Sequence, residues 1–340
     1  MNRGIDSNKL ALHPEIIAKW KKGEKIWPVY VEMSPTSICN YKCTYCALDF
    51  FKKGDILCLK TVHKIIDEML ELGVKSIMFA GEGEPLVNPM FVDMAIYAKT
   101  VGIDVALTTN GSLMTKEIAK EILPVMSWVK VSFNSVVPST FCKVSGLEKK
   151  AGMYALAHTI QNIYEAVDIR NVNKYNCDIG VQMLLLEDNY RDILSTIVMA
   201  RELGVDYFVL KPYSQHPSSK NKNKLFVLPE GDISYFEKMS TDKFKVVIRK
   251  QTEKRNYERC YAMPFWSYVS SNGDVWVCSS HMPDEKYRLG NIYMSTLKDI
   301  WSRENSVTIN TINCREGCRM DSCNRYLQMI LNPDKHVNFI

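Results

Sequence analysis

The sequence predicts an α/β fold in which helices cover a parallel sheet. Between residues 27 and 212, six strand-like segments alternate with helix-like segments, a pattern typical of parallel sheets. Gly73, Gly102 and Gly204 each end a helix-like segment just before a strand, where glycine commonly takes the left-handed position that closes a helix. The pattern changes after residue 212, so a smaller α+β domain is expected to follow the first one.

The elements can be placed in order along the chain. Strands are predicted near residues 28–34, 75–80, 103–109, 128–134, 178–186 and 206–211. Helices are predicted between them at 61–73, 88–102, 115–123, about 149–167 and 191–204, and later at 229–240, 295–303 and from about 318 onward. Two alternating apolar segments flank Asn272-Gly273, a dipeptide that favours tight turns, and they predict a β-hairpin there.

Four regions are expected in the chain. Its 340 residues exceed the size at which single cores usually stop growing, about 250–300 residues, so more than one domain is expected. We predict an N-terminal extension over 1–26 and the main α/β domain over 27–212. A linker with a helix is predicted over 213–259, and a cysteine-bearing domain over 260–340.

Composition favours a folded cytoplasmic protein. The chain is 46% apolar and 24% charged, and its formal net charge is only +5. The lysines are dispersed except around Lys220, Lys222 and Lys224, so nucleic-acid binding is not expected. Neither a membrane-spanning apolar run nor a signal-peptide core is evident. Eleven cysteines in a cytoplasmic protein indicate metal ligation before disulfides.

Three cysteines follow the first predicted strand in the run CNYKCTYC. Cys39, Cys43 and Cys46 could hold three irons of a 4Fe–4S cluster and leave the fourth iron open to a small molecule. The alternative is a structural zinc site, which normally has four protein ligands. No fourth ligand stands near in sequence, so the cluster is the favoured interpretation.

The CxxxCxxC spacing, with Tyr45 directly before the last cysteine, resembles the signature of radical S-adenosylmethionine (SAM) enzymes. This resemblance makes Tyr45 a candidate SAM-binding residue, and it implies a partial (β/α)6 barrel and a SAM molecule bound to the open iron through its amino and carboxylate groups. It also implies that one electron from the cluster splits SAM into methionine and a 5′-deoxyadenosyl radical. That radical takes a hydrogen atom from the substrate.

The run GEGEP at residues 81–85 follows the second strand and resembles the SAM-binding GGEP motif of the same family. The resemblance makes Gly83 and Glu84 candidates for contact with SAM. Glycine at 83 would let the backbone approach a charged ligand closely. Alone, such a loop is a common turn, but its position one βα unit after the cysteines strengthens the assignment.

The next strand ends add four polar candidates for SAM binding. Asn110 follows the third strand, where Asn-Gly is also a good turn dipeptide. Ser132 and Asn134 lie on one face at the end of the fourth strand, where the family presents polar side chains to SAM. Gln182 in the fifth strand is either a hydrogen-bonded core amide or a ligand contact.

Four polar side chains in and after the sixth strand are candidates for substrate contact: Lys211, Tyr213, Gln215 and His216. They combine donors, acceptors and a titratable imidazole, which suits a polar ligand. Tyr213 and His216 are also candidates for a catalytic role. The alternative is a capped, solvated loop.

The C-terminal cysteines resemble those of SPASM and twitch domains, which hold auxiliary iron–sulfur clusters. Five cysteines support one auxiliary 4Fe–4S cluster in addition to the SAM-binding one. The expected ligands are Cys260, Cys278, Cys314 and Cys318, with Cys323 in reserve because a helix beginning near Cys318 would carry it away. A zinc ribbon is the alternative for this domain.

The remaining cysteines, Cys58, Cys142 and Cys177, are expected to be ordinary small buried residues. A radical epimerase, however, needs a thiol that returns a hydrogen atom to the substrate. Cys142 and Cys177 are the candidates for that role, since they lie near the predicted fourth and fifth strands.

Three functions follow from these features. The first is a radical SAM enzyme that dehydrogenates or epimerises a small polar metabolite such as a sugar or aminocyclitol. Its auxiliary cluster would be the electron partner, and flavodoxin or ferredoxin the external one-electron donor. The second is a peptide-modifying maturase, which the short segment before the first strand disfavours, since many maturases carry a peptide-binding domain there. The third is a non-catalytic iron–sulfur or zinc scaffold.

Overall fold

Ten strands form a single sheet that curves into a partial barrel. The computed structural model describes residues 9–249, 255–303, 307–311, 314 and 318–339. The strands are β1 (Tyr30–Met33), β2 (Ser76–Phe79), β3 (Asp104–Thr109), β4 (Met126–Ser132), β5 (Asp178–Leu185), β6 (Tyr207–Pro212), β7 (Lys245–Ile248), β8 (Trp266–Val269), β9 (Asp274–Trp276) and β10 (Arg288–Asn291). Their spatial order is β10-β9-β8-β1-β2-β3-β4-β5-β6-β7. The six predicted strands are therefore confirmed as parallel neighbours in chain order.

Helices connect and cover these strands. They are α1 (Pro14–Lys21), α2 (Leu59–Glu71), α3 (Phe91–Thr100), α4 (Lys116–Ile122), α5 (Pro138–Ser145), α6 (Lys149–Asn173), α7 (Ile193–Glu202), α8 (Glu230–Glu237), α9 (Leu297–Ser302) and α10 (Asp321–Leu331). Gly73, Gly102 and Gly204 have φ of 85°, 100° and 76°, so each takes the expected left-handed position after its helix. Within the described ranges, no helix has both the length and the apolar character needed to cross a bilayer.

The two faces of the sheet differ in chemistry. Val31, Met33, Ile77 and Phe79 point outward and are fully buried in the main hydrophobic core. The alternate positions point into the barrel and include polar side chains such as Glu32, because successive strand residues face opposite ways. A parallel sheet covered on both faces usually has apolar residues at both sets of positions. The polar interior therefore indicates a space built for a ligand.

The C-terminal region extends the same sheet. Strand β8 pairs in parallel with β1, with Tyr30 opposite Trp266, and the hairpin predicted around Asn272-Gly273 is formed by β8 and β9. On the other side, β7 pairs with β6 inside the region predicted as a linker. The proposed boundaries at 212 and 259 thus separate segments that share one sheet.

The N-terminal extension covers the base of β1 and β8. Residues 1–8 of the predicted extension lie outside the described residues. From Lys9 onward, Leu10 and Ile17 pack in a cluster with Phe265 and Leu327. Helix α1 was not predicted, and neither was α5, because both have only eight residues and too few turns to show a clear period.

Candidate active site

Cys39, Cys43 and Cys46 lie in the loop after β1, at the carboxyl ends of the parallel strands. All three thiols are half-buried and line one cavity of about 500 Å³, called here the cysteine cavity. Its lining also includes Lys53, Tyr45, Asp49, Thr108, Lys220 and residues 81–84. In α/β barrels this end of the strands carries the active site. The three predicted cluster ligands are therefore brought to the expected place.

The three thiols share one electrostatic environment. Burial, together with the neighbouring Cys39 and Cys46, raises the pKa of Cys43 to about 12 against the lowering effect of the hydrogen bond from Tyr45. Burial also raises the pKa of Cys39 and of Cys46, which the positive charge of Lys53 partly offsets. Buried thiolates need a compensating positive charge, and metal ligation supplies one.

Tyr45 connects the cysteine loop to the end of β4. Its hydroxyl donates a hydrogen bond to the Cys43 sulfur and accepts one from the side-chain amide of Asn134. Asn134 is 4% exposed, and its amide oxygen accepts the backbone N–H of Leu184 at 2.7 Å. The two predicted SAM-binding residues thus form a chain that orients Cys43.

The GEGEP loop lies directly against the cysteine loop. The backbone N–H of Glu84 donates to the carbonyl of Ile38 at 2.9 Å. A Cβ atom at Gly83 would lie 2.2 Å from that carbonyl oxygen and 2.6 Å from the oxygen of Thr36. Glycine at 83 is therefore required by the approach of the cysteine loop itself.

The two acidic side chains of GEGEP bind different elements. The Glu84 carboxylate accepts the Thr109 hydroxyl at 2.5 Å and the Asn110 backbone N–H at 2.7 Å, which ties the loop to the end of β3. The Glu82 carboxylate accepts hydrogen bonds from Ser271 and from the Tyr268 hydroxyl in the β8–β9 hairpin. Burial raises the pKa of each carboxyl to about 7, against hydrogen bonds that lower it. Both groups hold loops together.

The other predicted SAM-binding residues line two different cavities. Asn110 and Ser132 line the cysteine cavity. The amide of Asn110 also donates to Asn40, the residue after Cys39, at 2.8 Å. Gln182 pairs in register with Ser132 but lines a separate, deeper space of about 170 Å³. This space, called here the inner cavity, lies among β4, β5, β6 and the residue that follows β7.

The polar loop after β6 holds the cysteine loop through its carbonyl groups, which sequence reasoning missed. The amide of Asn221 donates to the carbonyl oxygens of Cys43 and Cys46, both at 3.3 Å. Ser219 donates to the carbonyl of Cys46 at 3.2 Å, and Asn223 to that of Thr44 at 2.9 Å. The sequence predicts only a linker at this position, within 213–259. Its alternating asparagines were the available signal, because asparagine amides are good donors to backbone.

The predicted substrate residues of this loop face inward. His216 is 1% exposed, and its Nε2 donates to the carbonyl of Ser279 while its Nδ1 accepts from the Ser218 N–H, both at 3.1 Å. The Tyr213 hydroxyl donates to Gln215 at 2.7 Å, and the Gln215 amide donates to two carbonyls of the same loop. Their polar atoms are therefore hydrogen-bonded within this loop or, for His216 Nε2, to Ser279 of the C-terminal region.

Three further predicted residues are placed around the barrel. Lys211 is half-buried in β6, in register with Leu184 of β5. Cys142 packs between α5 and α6 with its sulfur near Lys149, and Cys177 lies at the amino end of β5. Neither of these cysteines is part of the lining of the cysteine cavity or the inner cavity.

Four C-terminal cysteines form a second group. The pKa of Cys260 is raised to about 12 by burial and by its neighbours Cys278, Cys318 and Cys314. Burial raises the pKa of Cys323 to about 11, and among the described cysteines Cys318 adds to this rise. Cys323 also packs, like Cys260, beside the apolar group that contains Leu10 and Ile17. The predicted ligand set, with Cys323 in reserve, remains a prediction.

Arg319, next to Cys318, connects this second group to the barrel. Its guanidinium forms a two-pronged ion pair with Glu32 of β1, with one N–O distance of 2.5 Å, and lies 4.5 Å from the ring centre of Trp266. Glu32 also accepts the Tyr30 hydroxyl at 2.8 Å. No sequence signal had marked either residue.

The donor sets fit iron–sulfur clusters. Among the residues that the structure describes, no three cysteine, histidine or carboxylate side chains are close enough to share a single metal ion. In a 4Fe–4S cluster each thiolate binds a different iron, so the sulfurs stand further apart. The three thiols that line the cysteine cavity suit a cluster with one open iron. The four C-terminal thiols suit a cluster in which every iron has a cysteine ligand.

Comparison with known families agrees with this site. The model of the radical SAM superfamily matches residues 33–200, and that of the SPASM iron–sulfur cluster-binding domain matches residues 260–325. The chain therefore belongs to the radical SAM superfamily and carries a C-terminal SPASM domain. Membership makes SAM and iron–sulfur clusters its cofactors.

Curated relatives differ in their reactions. A tungsten-containing aldehyde ferredoxin oxidoreductase cofactor-modifying protein of Pyrococcus furiosus is 29% identical over 181 residues, which are 52% of this chain and 49% of that protein. The chain thus matches about half the length of that relative. A probable GTP 3′,8-cyclase of Saccharolobus islandicus is 25% identical over 237 residues, with 67% and 69% of the two chains covered.

Solved structures share the fold. SuiB of Streptococcus suis bound to S-adenosylmethionine superposes with a TM-score of 0.68 at 18% identity and covers 86% of this chain and 70% of its own. The SAM-bound anSMEcpe has a TM-score of 0.58 at 19% identity, with 82% of both chains covered. At these identities the likeness establishes the fold alone.

Proposed function

We propose that this protein is a radical SAM oxidoreductase that dehydrogenates a small polar substrate held inside the barrel. The single observation that carries the proposal is the polar inner cavity directly beside the cysteine cavity. Ser132 lines one, and its register partner Gln182 lines the other. A substrate held there would lie next to bound SAM.

The size of the inner cavity supports a small substrate. Its volume of about 170 Å³ is below the 300–1,000 Å³ typical of drug-sized ligand pockets. A peptide would need an open groove for its backbone on both sides of the reacting residue. A peptide-modifying maturase is the alternative function. Formation of 5′-deoxyadenosine that depends on an added peptide would favour it.

When bound, the SAM cluster and SAM supply a carbon-centred radical that removes a hydrogen atom from an unactivated C–H bond. Conversion of a secondary alcohol to a ketone then requires loss of one electron and of the hydroxyl proton. The SPASM site, joined to the barrel by Arg319 and Glu32, is the proposed electron acceptor. Dehydrogenation is preferred over epimerisation because neither Cys142 nor Cys177 lines either cavity.

The proposed chemistry needs outside partners. An external one-electron donor, such as flavodoxin or ferredoxin, would reduce the SAM cluster. None of the eleven cysteines forms a disulfide, which suits the reducing cytoplasm where we place the enzyme. Within the chain, Tyr45, Asn134 and Asn221 hold the cysteine loop in place.

The test is anaerobic reconstitution, iron counting and measurement of 5′-deoxyadenosine after reduction in the presence of SAM. Two 4Fe–4S clusters give about eight irons per chain. Cys43→Ala should abolish SAM cleavage. Cys142→Ala, which alters a buried thiol between α5 and α6, is the matched control and should retain it.

Deuterium transfer identifies the substrate class. Candidate alcohols deuterated at the carbinol carbon should place deuterium in 5′-deoxyadenosine and yield the ketone. SAM cleavage without iron at Cys39, Cys43 and Cys46 would contradict the proposal. Absence of 5′-deoxyadenosine with every substrate class would favour the non-catalytic scaffold instead.

A further inference from the structure

The inner cavity has an excess of positive charge. Among the residues that the structure describes, its charged lining consists of Lys9, Lys130, Arg249 and Asp178, which are three basic groups and one acidic group. The remaining lining is Trp128, Gln182, Tyr207 and Val209. A cleft with this balance attracts anions, because low-dielectric walls strengthen the field of the charges.

Lys130 is the innermost of these charges. It lies on β4 between Trp128 and Ser132, and its side chain points into the barrel, where its ammonium lies 5.5 Å from the ring centre of Trp128. Within the described part of the chain, the ammonium makes no hydrogen bond or ion pair of its own. Its half-buried surface faces the cavity.

The surroundings of Lys130 disfavour its charge. Loss of hydration, together with the positive charges of Arg249 and Arg319, lowers its pKa to about 8. Glu32 acts in the opposite direction, but its carboxylate is already engaged by Arg319. A half-buried cation without an anionic partner is unfavourable, and a bound anion would compensate it.

We propose that Lys130, with Gln182 and Arg249 beside it, binds an anionic group of the substrate, either a phosphate or a carboxylate. This inference rests on the proposed function and deepens it, since it names the chemical class of the substrate. The Gln182 amide adds a neutral donor, and the Trp128 ring offers an apolar wall to the adjoining carbon atoms.

The site has a defined depth below the cysteine cavity. Lys130 and Ser132 are two residues apart on the same face of β4, which separates their Cα atoms by about 6.5 Å. An anion on Lys130 therefore lies one strand repeat below the level of Ser132. The carbon that reacts should stand a few bonds away from the anionic group, on the side of the cysteine cavity.

The test measures binding of inorganic phosphate and of acetate to the reconstituted enzyme with SAM, by calorimetry at constant ionic strength set with potassium chloride. We expect saturable binding of at least one anion at millimolar concentrations. Lys130→Met should weaken it about tenfold or more, since a hydrogen bond to a charged group is lost. Lys130→Arg, which keeps the charge, should largely preserve it. Lys120→Met on the exposed face of α4 is the matched control.

Each outcome decides the question. Preference for phosphate assigns a phosphorylated substrate, and preference for acetate assigns a carboxylic acid. The inference is overturned if wild type binds neither anion saturably, or if Lys130→Met binds as tightly as wild type. Because 5′-deoxyadenosine formation is measured separately, a wild-type enzyme that cleaves SAM but binds neither anion contradicts this inference alone. Anion binding without SAM cleavage contradicts the proposed function.

Discussion

Arg319 and Glu32 form an ion pair across 287 residues of chain, between the loop of the auxiliary cysteines and the first strand of the barrel. Glu32 is almost fully buried, while the Arg319 side chain is 33% exposed. The pair fixes the second cysteine group against the barrel interior. The Arg319 guanidinium also neutralises the negative charge of Glu32, which would otherwise lie beside the inner cavity.

Glu32→Gln should destabilise the protein by leaving the guanidinium without its anionic partner. Breaking a buried ion pair typically costs ~3–5 kcal/mol, and the partial exposure of Arg319 reduces the expected loss to about 2–3 kcal/mol. Urea denaturation of the anaerobic, reconstituted enzyme measures the change in free energy of unfolding. Glu285→Gln, which breaks an exposed pair with Arg288, is the matched control and should lower it by less than about 1 kcal/mol.

Cysteine substitutions should separate ligands from the reserve thiol. Cys314→Ser should reduce iron by about one cluster, because four cysteines hold each fully ligated 4Fe–4S cluster. Cys323→Ser should keep the iron content, since among the described cysteines Cys318 acts on the Cys323 thiol, whereas Cys278, Cys318 and Cys314 all act on that of Cys260. Equal iron loss in both variants would contradict the proposed ligand set.

Gly83→Ala should disrupt the cysteine loop. Its new Cβ would lie 2.2 Å from a backbone oxygen, so either the loop or GEGEP has to move. We expect loss of the SAM cluster and of SAM binding, measured by iron content and by equilibrium dialysis with labelled SAM. Gly231→Ala meets no atom within 4 Å in helix α8 and should be neutral or stabilising by up to about 1 kcal/mol. An intact cluster in Gly83→Ala would contradict this prediction, because it would show that the two loops can move apart without loss of the cluster.

Asn221→Ala should loosen the hold on the cysteine loop. It removes the amide donor shared by the carbonyls of Cys43 and Cys46, and each lost hydrogen bond typically costs about 0.5–1.5 kcal/mol. Faster loss of iron to a chelator under anaerobic conditions is the expected result. Asn173→Ala removes a comparable bond at the end of α6 and should leave that rate unchanged.

Lys130→Met should stabilise the ligand-free protein at pH 7. Because the folded pKa is about 8 and the ordinary value is 10.5, the penalty for the buried charge is fully present below pH 8. It is relieved as pH rises from 8 to 10.5, where folded Lys130 loses its proton before the unfolded chain does. The stability gain of the variant, measured by urea denaturation, should therefore shrink across that range. A gain that does not vary with pH would assign it to packing.

Sequence patterns predicted the barrel strands well because each carries a continuous apolar face. The CxxxCxxC run and GEGEP also placed the cysteine cavity, since both are local in sequence. Strand β8 could not be assigned to the barrel sheet in this way. Its pairing with β1 is set by contacts between Tyr30 and Trp266, which stand far apart in the chain.

The direction in which a side chain points could not be predicted from the sequence, and this limited the prediction of the site. His216 and Tyr213 have the chemistry of substrate contacts, but loop geometry turns them inward and commits their polar atoms. Lys130 was not selected because a lysine in an apolar strand has no motif around it. Its role depends on which face of β4 meets the interior, and that requires the register of the whole sheet.

The pairing of β8 with β1 has a consequence for modularity. A protein cut after residue 259 would lose the neighbour of β1 and expose a row of unpaired backbone groups along an apolar strand. Such an edge recruits other chains, so the truncated protein should aggregate. The SPASM region is thus not an independent domain that can be exchanged between relatives. A chimera that carries it would also need the first strand of the same protein.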